Sequence, residues 1–263
     1  MGIMRNLRMY ASTQKYQWLA FFTYRLQAAV WIAVFALGAI VQIVTITVIY
    51  DVSSGISGWS YYQILALSGL SSMLTGVVLY NISARSIATR MRNGQLDQRL
   101  VKPYNPIVFM LSNSGTMSVS ALGQIIPGFV IFAFSASMAG VPVLASMLLL
   151  LVFLLGAASL IMFILMLTLA SYVLFRGAGY IQWLTNIAGR ASSYPLNLYG
   201  FGGVVLLTIG LPVGLASFYP AEFIFGKLAL YQFALVIALA LASIFVYYRI
   251  SSWLLTKYTS GGG

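Results

Sequence analysis

The sequence predicts an all-α integral membrane protein with six transmembrane helices and with both chain termini in the cytoplasm. Of its 263 residues, 61% are hydrophobic and only 6% are charged, whereas soluble domains carry about a quarter charged residues. The apolar residues gather in uncharged runs, and a helix needs about 20 such residues to cross a bilayer. A soluble fold of this length could not hide so much apolar surface from water, so lipid is the solvent that fits.

Six apolar runs define the predicted spans, at about residues 28–50, 61–83, 106–138, 143–175, 194–211 and 228–248. We expect them to form one domain over residues 28–257, followed by a flexible tail at 258–263. The fourth run is longer than the hydrocarbon core requires, so that helix should tilt or extend beyond the core. Asn105 as a helix cap and Pro106 at the first helical position predict where the third span begins.

The positive charges predict the orientation of the spans. With the N-terminus in the cytoplasm, thirteen of the 14 Lys and Arg residues fall on inner segments, including the connector from Arg176 to Arg190. Only Lys227 falls outside, together with Asp51 and Glu222. Cytoplasmic loops are enriched in Lys and Arg. The formal net charge of +11 therefore indicates topology and attraction to anionic lipid, and we expect no nucleic-acid partner.

Residues 1–27 precede the first span and carry Arg5, Arg8, Lys15 and Arg25. If this segment is helical, three of these basic residues share one face and apolar residues share another. That pattern is typical of an amphipathic helix in the membrane interface. The alternative is an ordinary basic flank of the first span.

Several function classes lack the residues they need. The sequence has no Cys and no His, and its only acids are Asp51, Asp97 and Glu222. Thiol chemistry, the usual proton shuttle and the commonest metal ligand are therefore excluded. There is no acid–base or nucleophile set suited to catalysis, and no GxxxxGK[ST] loop for ATP. We expect the chain to bind no cofactor itself, so it is either passive or driven by a partner.

The segment between the second and third spans is the most informative one, and residues 84–106 read ARSIATRMRNGQLDQRLVKPYNP. Four apolar residues recur at helical spacing and form one stripe: Ala84, Ile87, Ala88 and Met91. Asn93-Gly94 predicts the end of this helix, because glycine accepts the left-handed conformation there. A solvated helix needs no apolar stripe. The stripe should therefore pack against something, either the membrane surface, with arginines on lipid phosphates, or a protein partner.

The run from Arg92 to Pro106 resembles the loop between the second and third spans of type-2 ABC exporter permeases. Those subunits often show arginine, any residue, glycine, then Leu-Asp, a leucine and a basic-Pro pair. A second stretch is similar to their fifth span and the external segment after it: Tyr194-Pro195-Leu196, Leu211-Pro212-Val213-Gly214 and Tyr219-Pro220-Ala221. The sequence departs from the pattern at Gln95, where an acid is common, and at Lys102, where arginine is common.

The resemblance implies a non-catalytic permease subunit in the inner cell membrane. It would pair with a second permease, identical or related, and with two copies of a separate ABC ATPase, which binds the ATP and Mg. The helix after the second span would be a cytoplasmic coupling helix seated on the ATPase. The interface residues would be Arg85, Ile87, Ala88, Met91, Arg92, Asn93, Gly94, Leu96, Asp97, Arg99, Leu100, Lys102 and Pro103. The alternatives are an uncoupled channel or assembly scaffold and, third, a membrane-embedded enzyme.

The start of the third span is unusually small and polar, with Ser112, Asn113, Ser114, Thr116, Ser118 and Gln124. Such residues predict either a wall of a translocation path or close helix packing with interhelical hydrogen bonds. Pro212 predicts a break after the fifth span. That break is either a simple kink or, by the family resemblance, the start of short re-entrant helices.

Overall fold

The computed structural model describes residues 2–53, 56, 58–112, 119–175 and 179–259. Its helices, in chain order, are α1 (Gly2–Thr23), α2 (Arg25–Ser53), α3 (Tyr61–Asn81), α4 (Ala84–Arg92), α5 (Asp97–Leu100), α6 (Pro106–Ser112), α7 (Leu122–Met138), α8 (Val143–Phe175), α9 (Gly179–Ala191), α10 (Gly200–Val205), α11 (Phe218–Ile224) and α12 (Leu230–Thr256). Single turns of 3₁₀ helix lie at Val119–Ala121 and Leu196–Tyr199, and a π-helical turn lies at Leu206–Gly210. The described chain is thus built from helices, as the sequence predicts.

Four helical stretches are long and apolar enough to cross a membrane: Arg25–Val52, Tyr61–Arg92, Val143–Phe175 and Leu230–Thr256. Two shorter apolar stretches, Leu122–Met138 and Leu196–Gly210, lie where the third and fifth spans are predicted. The second of these ends before Pro212, and Leu211 is extended at φ −132° and ψ 96°. Proline disfavours helical geometry in the residue before it, so the predicted break is confirmed.

The helices α3 and α7 form the most extensive contact of the bundle. A Cβ atom added at Gly128 would lie 2.8 Å from the carbonyl oxygen of Gly69, and one added at Gly69 would lie 2.6 Å from the amide nitrogen of Phe132. Small residues let helix backbones approach this closely. These two glycines therefore set the spacing of α3 and α7.

One end of the bundle gathers α4, the end of α8 and the chain that follows α12. We call it the basic end, because α4 carries Arg85, Arg90 and Arg92. At the opposite end, the Trp59 ring packs against Phe218 and Phe225, with ring centroids 5.9 and 6.1 Å apart. The Lys227 ammonium lies 3.5 Å from the centroid of the Trp59 ring and donates to the Gly58 carbonyl. The segment around α11 is therefore fastened to the loop before α3.

The first helix, α1, is bonded to the ends of α3 and α6 through polar side chains. The Gln17 side-chain amide donates to the Ser112 carbonyl at 2.9 Å, and the Tyr10 hydroxyl donates to the Asn81 side-chain oxygen at 3.1 Å. Apolar side chains elsewhere on α1 stay exposed, such as Met4 at 65% and Leu7 at 63%. The helix therefore rests on the protein by polar contacts and leaves an apolar surface uncovered.

Candidate functional site

The helix α4 has clear local signals at both ends. At its start, the Ser83 hydroxyl accepts from the Ser86 N–H at 3.3 Å, which satisfies one free donor of the first turn. At its end, Gly94 has φ +64° and the Gln95 N–H donates to the Arg90 carbonyl at 3.0 Å. This six-residue closure around a left-handed glycine is a common helix stop. The predicted end at Gly94 is confirmed.

The apolar stripe of α4 is covered by the chain itself. Relative exposure is 2% at Ala84, 4% at Ile87, 7% at Ala88 and 0% at Met91. The helices that pack against α4 are α8 and α9. Neither a membrane surface nor a partner is needed to explain the stripe. Ile87, Ala88 and Met91, with the buried Leu96, therefore hold this segment against the rest of the chain.

The carbonyl of Met91 joins α4 to two long helices. It accepts hydrogen bonds from the hydroxyls of Tyr172, at 3.1 Å, and Tyr258, at 3.2 Å. Tyr172 lies near the end of α8, and Tyr258 follows α12. The two rings lie against each other with centroids 5.8 Å apart. A carbonyl at a helix C-terminus lacks an intrahelical partner, so this joint uses an acceptor that α4 has available.

The other predicted interface residues are mostly on the surface. Exposed side chains belong to Arg85, Arg92, Asn93, Leu100, Lys102 and Pro103, while Gly94 and Asp97 are half-buried. Arg99 lies on α5. The exposed group combines positive charge with the apolar Leu100, and Val101 beside it is 84% exposed.

The helix α9 lies where the sequence predicts a cytoplasmic connector. We predicted residues 176–190 as a cytoplasmic connector, but α9 packs along α3, and the Ser71 hydroxyl donates to the Gly189 carbonyl at 2.8 Å. Ser71 is the eleventh of the 21 residues of α3. Arg190 therefore lies level with the middle of α3 rather than at the basic end. The approach is close because Gly189 has no side chain, and a Cβ there would lie 2.8 Å from the Thr75 hydroxyl oxygen.

A hydroxyl and amide cluster holds α2, α3 and the end of α9 together. The Ser71 hydroxyl lies 2.6 Å from that of Ser192 and 2.9 Å from that of Ser193. The Gln42 side chain donates to the Ser193 hydroxyl at 3.1 Å and accepts from the Ser72 hydroxyl at 2.7 Å. Polar groups away from water require such partners. One feature of the sequence indicates a polar contact here: Gln42 is the one amide side chain in the apolar run 28–50.

A cavity of about 760 Å³ opens beside this cluster, between α2, α3, α7 and α9. Its polar lining includes Gln42, Ser72, Thr75, Gln124, Asn186 and Arg190, and α2 adds apolar side chains such as Val34, Phe35 and Ile46. Arg190 is the charged residue among the described residues that line it. The buried side-chain oxygen of Gln124 has no hydrogen-bond partner within the described chain. The cavity thus offers one cation and several neutral polar groups opposite an apolar wall.

Of the six small and polar residues predicted at the start of the third span, the structure describes Ser112 and Gln124, and these two lie in different surroundings. Ser112 is fully buried, and its hydroxyl donates to the Phe109 carbonyl at 2.9 Å. Its own carbonyl receives the hydrogen bond from Gln17, so Ser112 packs α6 against α1. Gln124 instead lines the cavity. The remaining four, Asn113, Ser114, Thr116 and Ser118, lie outside the described residues.

Comparison with known proteins identifies the family. The model of the family described as ABC-2 family transporter protein matches residues 36–262, which is most of the chain. No curated protein and no solved structure gave a match. Permeases of this family are generally non-catalytic membrane subunits and normally work with an ABC ATPase partner. The chain therefore belongs to the ABC-2 transporter family and is a transmembrane permease of that type.

Proposed function

We propose that this chain is the membrane subunit of an ATP-driven ABC exporter and that α4 transmits the movement of a separate ATPase to the spans. The joint at Met91 supports this best, because one carbonyl binds both Tyr172 and Tyr258. With its apolar stripe buried against α8 and α9, and with Tyr258, two residues beyond α12, bonded to Met91, α4 is fixed to two helices and to the end of a third. A force applied to α4 therefore reaches all three, rather than bending a free loop.

The exposed residues of this segment form the proposed docking surface. They are Arg85, Arg92, Asn93, Leu100, Lys102 and Pro103. The half-buried Gly94 and Asp97 and Arg99 of α5 complete the proposed surface, with the buried stripe beneath as support. In the proposed complex two ATPase copies hold ATP and Mg, and a second permease, identical or related, completes the path. The charges of the basic end favour a cytoplasmic location for it, as in an inner cell membrane with the ATPases on that side.

We also propose that α1 lies in the membrane interface beside the basic end. Met4 and Leu7 are more than half exposed, and so are Leu19 and Phe22. Arg8 is also exposed. An apolar surface next to basic side chains suits the boundary between acyl chains and anionic head groups. Because the polar contacts of Tyr10 and Gln17 fix α1 to the protein, this helix would hold the basic end at a constant depth.

A charge reversal on the exposed face tests the coupling proposal. The full chain is co-expressed with the ABC ATPase encoded beside it, and co-purification and ATP hydrolysis are measured. For Arg85→Glu with Arg92→Glu, we expect roughly a tenfold or greater loss of ATPase capture, since charged interface contacts each contribute on the order of 1–3 kcal/mol. Arg249→Glu is the matched control, because Arg249 is an exposed arginine on α12.

Two results would contradict the proposal. Unchanged capture and turnover in the double reversal would remove α4 from the docking surface. Stable insertion of the wild-type chain with no ATPase-dependent activity would favour an uncoupled channel or scaffold.

A further inference from the structure

We infer that the cavity around Arg190 binds an amphipathic anion, meaning a ligand with one anionic head group on an apolar body. As a statement about the transported substrate, this rests on the proposed function. As a statement about binding, it rests on the cavity alone and can be tested without any ATPase.

The first argument is charge. An arginine level with the middle of a span is costly in lipid and is ordinarily paired or facing water. The chain has only three carboxylates, Asp51, Asp97 and Glu222, and none of them lines the cavity. Asp51 lies nine residues beyond Gln42 on α2, which is about 14 Å of helix. Arg190 is exposed and no carboxylate of the described chain lies at this cavity, so its guanidinium is open to water and to any anion that enters.

The second argument is the chemistry around the cation. A guanidinium offers five donors in a planar fork that matches a carboxylate or a phosphate. Asn186 lies one helical turn before Arg190 and also lines the cavity, so its amide lies on the same side of α9. Ser72 and Thr75 also line the α3 wall, but their hydroxyl protons are donated to the Gln42 side-chain oxygen and to the Ser71 carbonyl. The amide of Asn186 therefore adds hydrogen-bond donors for an anionic head group without adding a competing charge.

The third argument is the opposite wall. Side chains of α2 such as Val34, Phe35 and Ile46 line it, and none of the α2 residues that line the cavity is charged. A Cβ atom added at Gly38 would meet nothing within 4 Å, so Gly38 borders open space. The volume of about 760 Å³ lies within the roughly 300–1,000 Å³ typical of small-molecule sites. A site with a cation on one side and apolar side chains on the other selects ligands that have an anionic head group and an apolar body.

Binding of matched fluorescent probes to the full chain in phosphatidylcholine nanodiscs tests the inference. The anionic probe is dansyl-undecanoate, and its comparator carries the same dansyl chain with a trimethylammonium head group. We expect saturable binding of the carboxylate and at least about tenfold weaker binding of the cation. Equal affinity for the two head groups, or no saturable binding of the carboxylate, would overturn the inference.

Two substitutions locate the binding at the cavity. Arg190→Gln removes the charge and should weaken carboxylate binding about tenfold or more, while Arg249→Gln should leave it unchanged. Gly38→Leu keeps the charge but fills the space and should also weaken binding, whereas Gly202→Leu, at another glycine whose Cβ would meet nothing within 4 Å, should not. If Arg190→Gln does not fold, Gly38→Leu decides alone. Wild-type affinity in Gly38→Leu would refute the site.

The anion has two possible sources, a bilayer lipid or a soluble amphiphile. Adding phosphatidylglycerol to the nanodiscs separates them. If the site binds lipid, phosphatidylglycerol will compete with dansyl-undecanoate; if it binds only soluble amphiphiles, the affinity for dansyl-undecanoate will not change. Both outcomes support the anionic chemistry. A chain that binds the probe at Arg190 but captures no ATPase would refute the proposed function and leave this inference standing.

Discussion

The joint at Met91 makes a quantitative prediction for two tyrosines. Tyr172→Phe and Tyr258→Phe each keep the aromatic ring and delete one hydroxyl, so they test the hydrogen bonds with little change in packing. A neutral hydrogen bond contributes on the order of 0.5–1.5 kcal/mol net. Because both hydroxyls donate to the same carbonyl, either one can satisfy it when the other is removed. We expect each single substitution to cost about 0.5–1 kcal/mol.

The double substitution should cost more than the sum of the two singles. It leaves the Met91 carbonyl with the Gly94 N–H at 3.3 Å, in a residue that is fully buried. An under-satisfied buried acceptor costs roughly 1–3 kcal/mol. The double-mutant cycle built from the two single variants and the double variant should therefore show a coupling energy of several tenths of a kcal/mol or more. Residues that share one partner show coupling of this kind.

The assay measures thermal unfolding of the purified chain together with ATP hydrolysis by its ATPase complex. Tyr231→Phe is the control, because Tyr231 lies at the other end of α12 and is 68% exposed. We expect the double variant to insert and assemble but to lose most of the permease-dependent ATP hydrolysis. Strictly additive stability effects would show that the carbonyl is not shared. Wild-type hydrolysis in the double variant would show that this joint does not transmit movement.

Two further predictions concern the contact between α3 and α7 and the carboxyl of Glu222 on α11. Gly128→Leu should lower the free energy of unfolding by about 3 kcal/mol or more, because the new side chain meets the Gly69 backbone. Gly202→Leu should change it by less than about 1 kcal/mol, and similar thermal stability of the two variants would contradict the packing argument. Burial raises the pKa of the Glu222 carboxyl above its ordinary 4.5, so the folded chain binds this proton more tightly than the unfolded chain. The contribution of Glu222 to stability should therefore fall as pH rises through that raised pKa. Glu222→Gln should remove this pH dependence and raise the unfolding temperature at neutral pH, and an unaltered pH profile would refute this account.

Features that depend on a few neighbouring residues could be predicted from the sequence. Asn93-Gly94 predicted the end of α4, and Gly94 has the expected positive φ. Asn105 was predicted as the cap of the third span, and its side chain accepts from the Ile107 N–H at 2.9 Å. The apolar runs likewise located the long helices, because lipid requires length and composition that show directly in the chain. In each case the residues that determine the feature lie within or next to the segment that shows it.

Features that depend on distant partners could not be predicted in this way. Periodicity showed that α4 has an apolar face, but it does not state what covers that face, and α8 and α9 do so from some 80 residues away. The low hydrophobicity of residues 176–190 predicts a cytoplasmic connector for Arg190, because glycine, asparagine and threonine are mixed with the apolar residues there. Its position follows from hydroxyls on α3, since Ser71 bonds both Gly189 and Ser192. Hydropathy averages do not contain such pairings.

The helix α9 gives the proposed docking surface and the proposed anion site a physical connection. It packs against α4, and its Tyr180 hydroxyl contacts Ser171 near the end of α8, while Gly189 and Arg190 lie at the cavity. Thirteen residues of helix span about 20 Å, which is short enough to move as a unit. A displacement of α4 would then shift Arg190 relative to the apolar wall on α2. A pump requires a ligand affinity that differs between its states, and moving the one cation of the site is a direct way to produce that difference. Ser71→Ala should therefore alter anion affinity and ATPase coupling together, because Ser71 holds the cavity end of α9 against α3, whereas the tyrosine double variant should alter coupling alone.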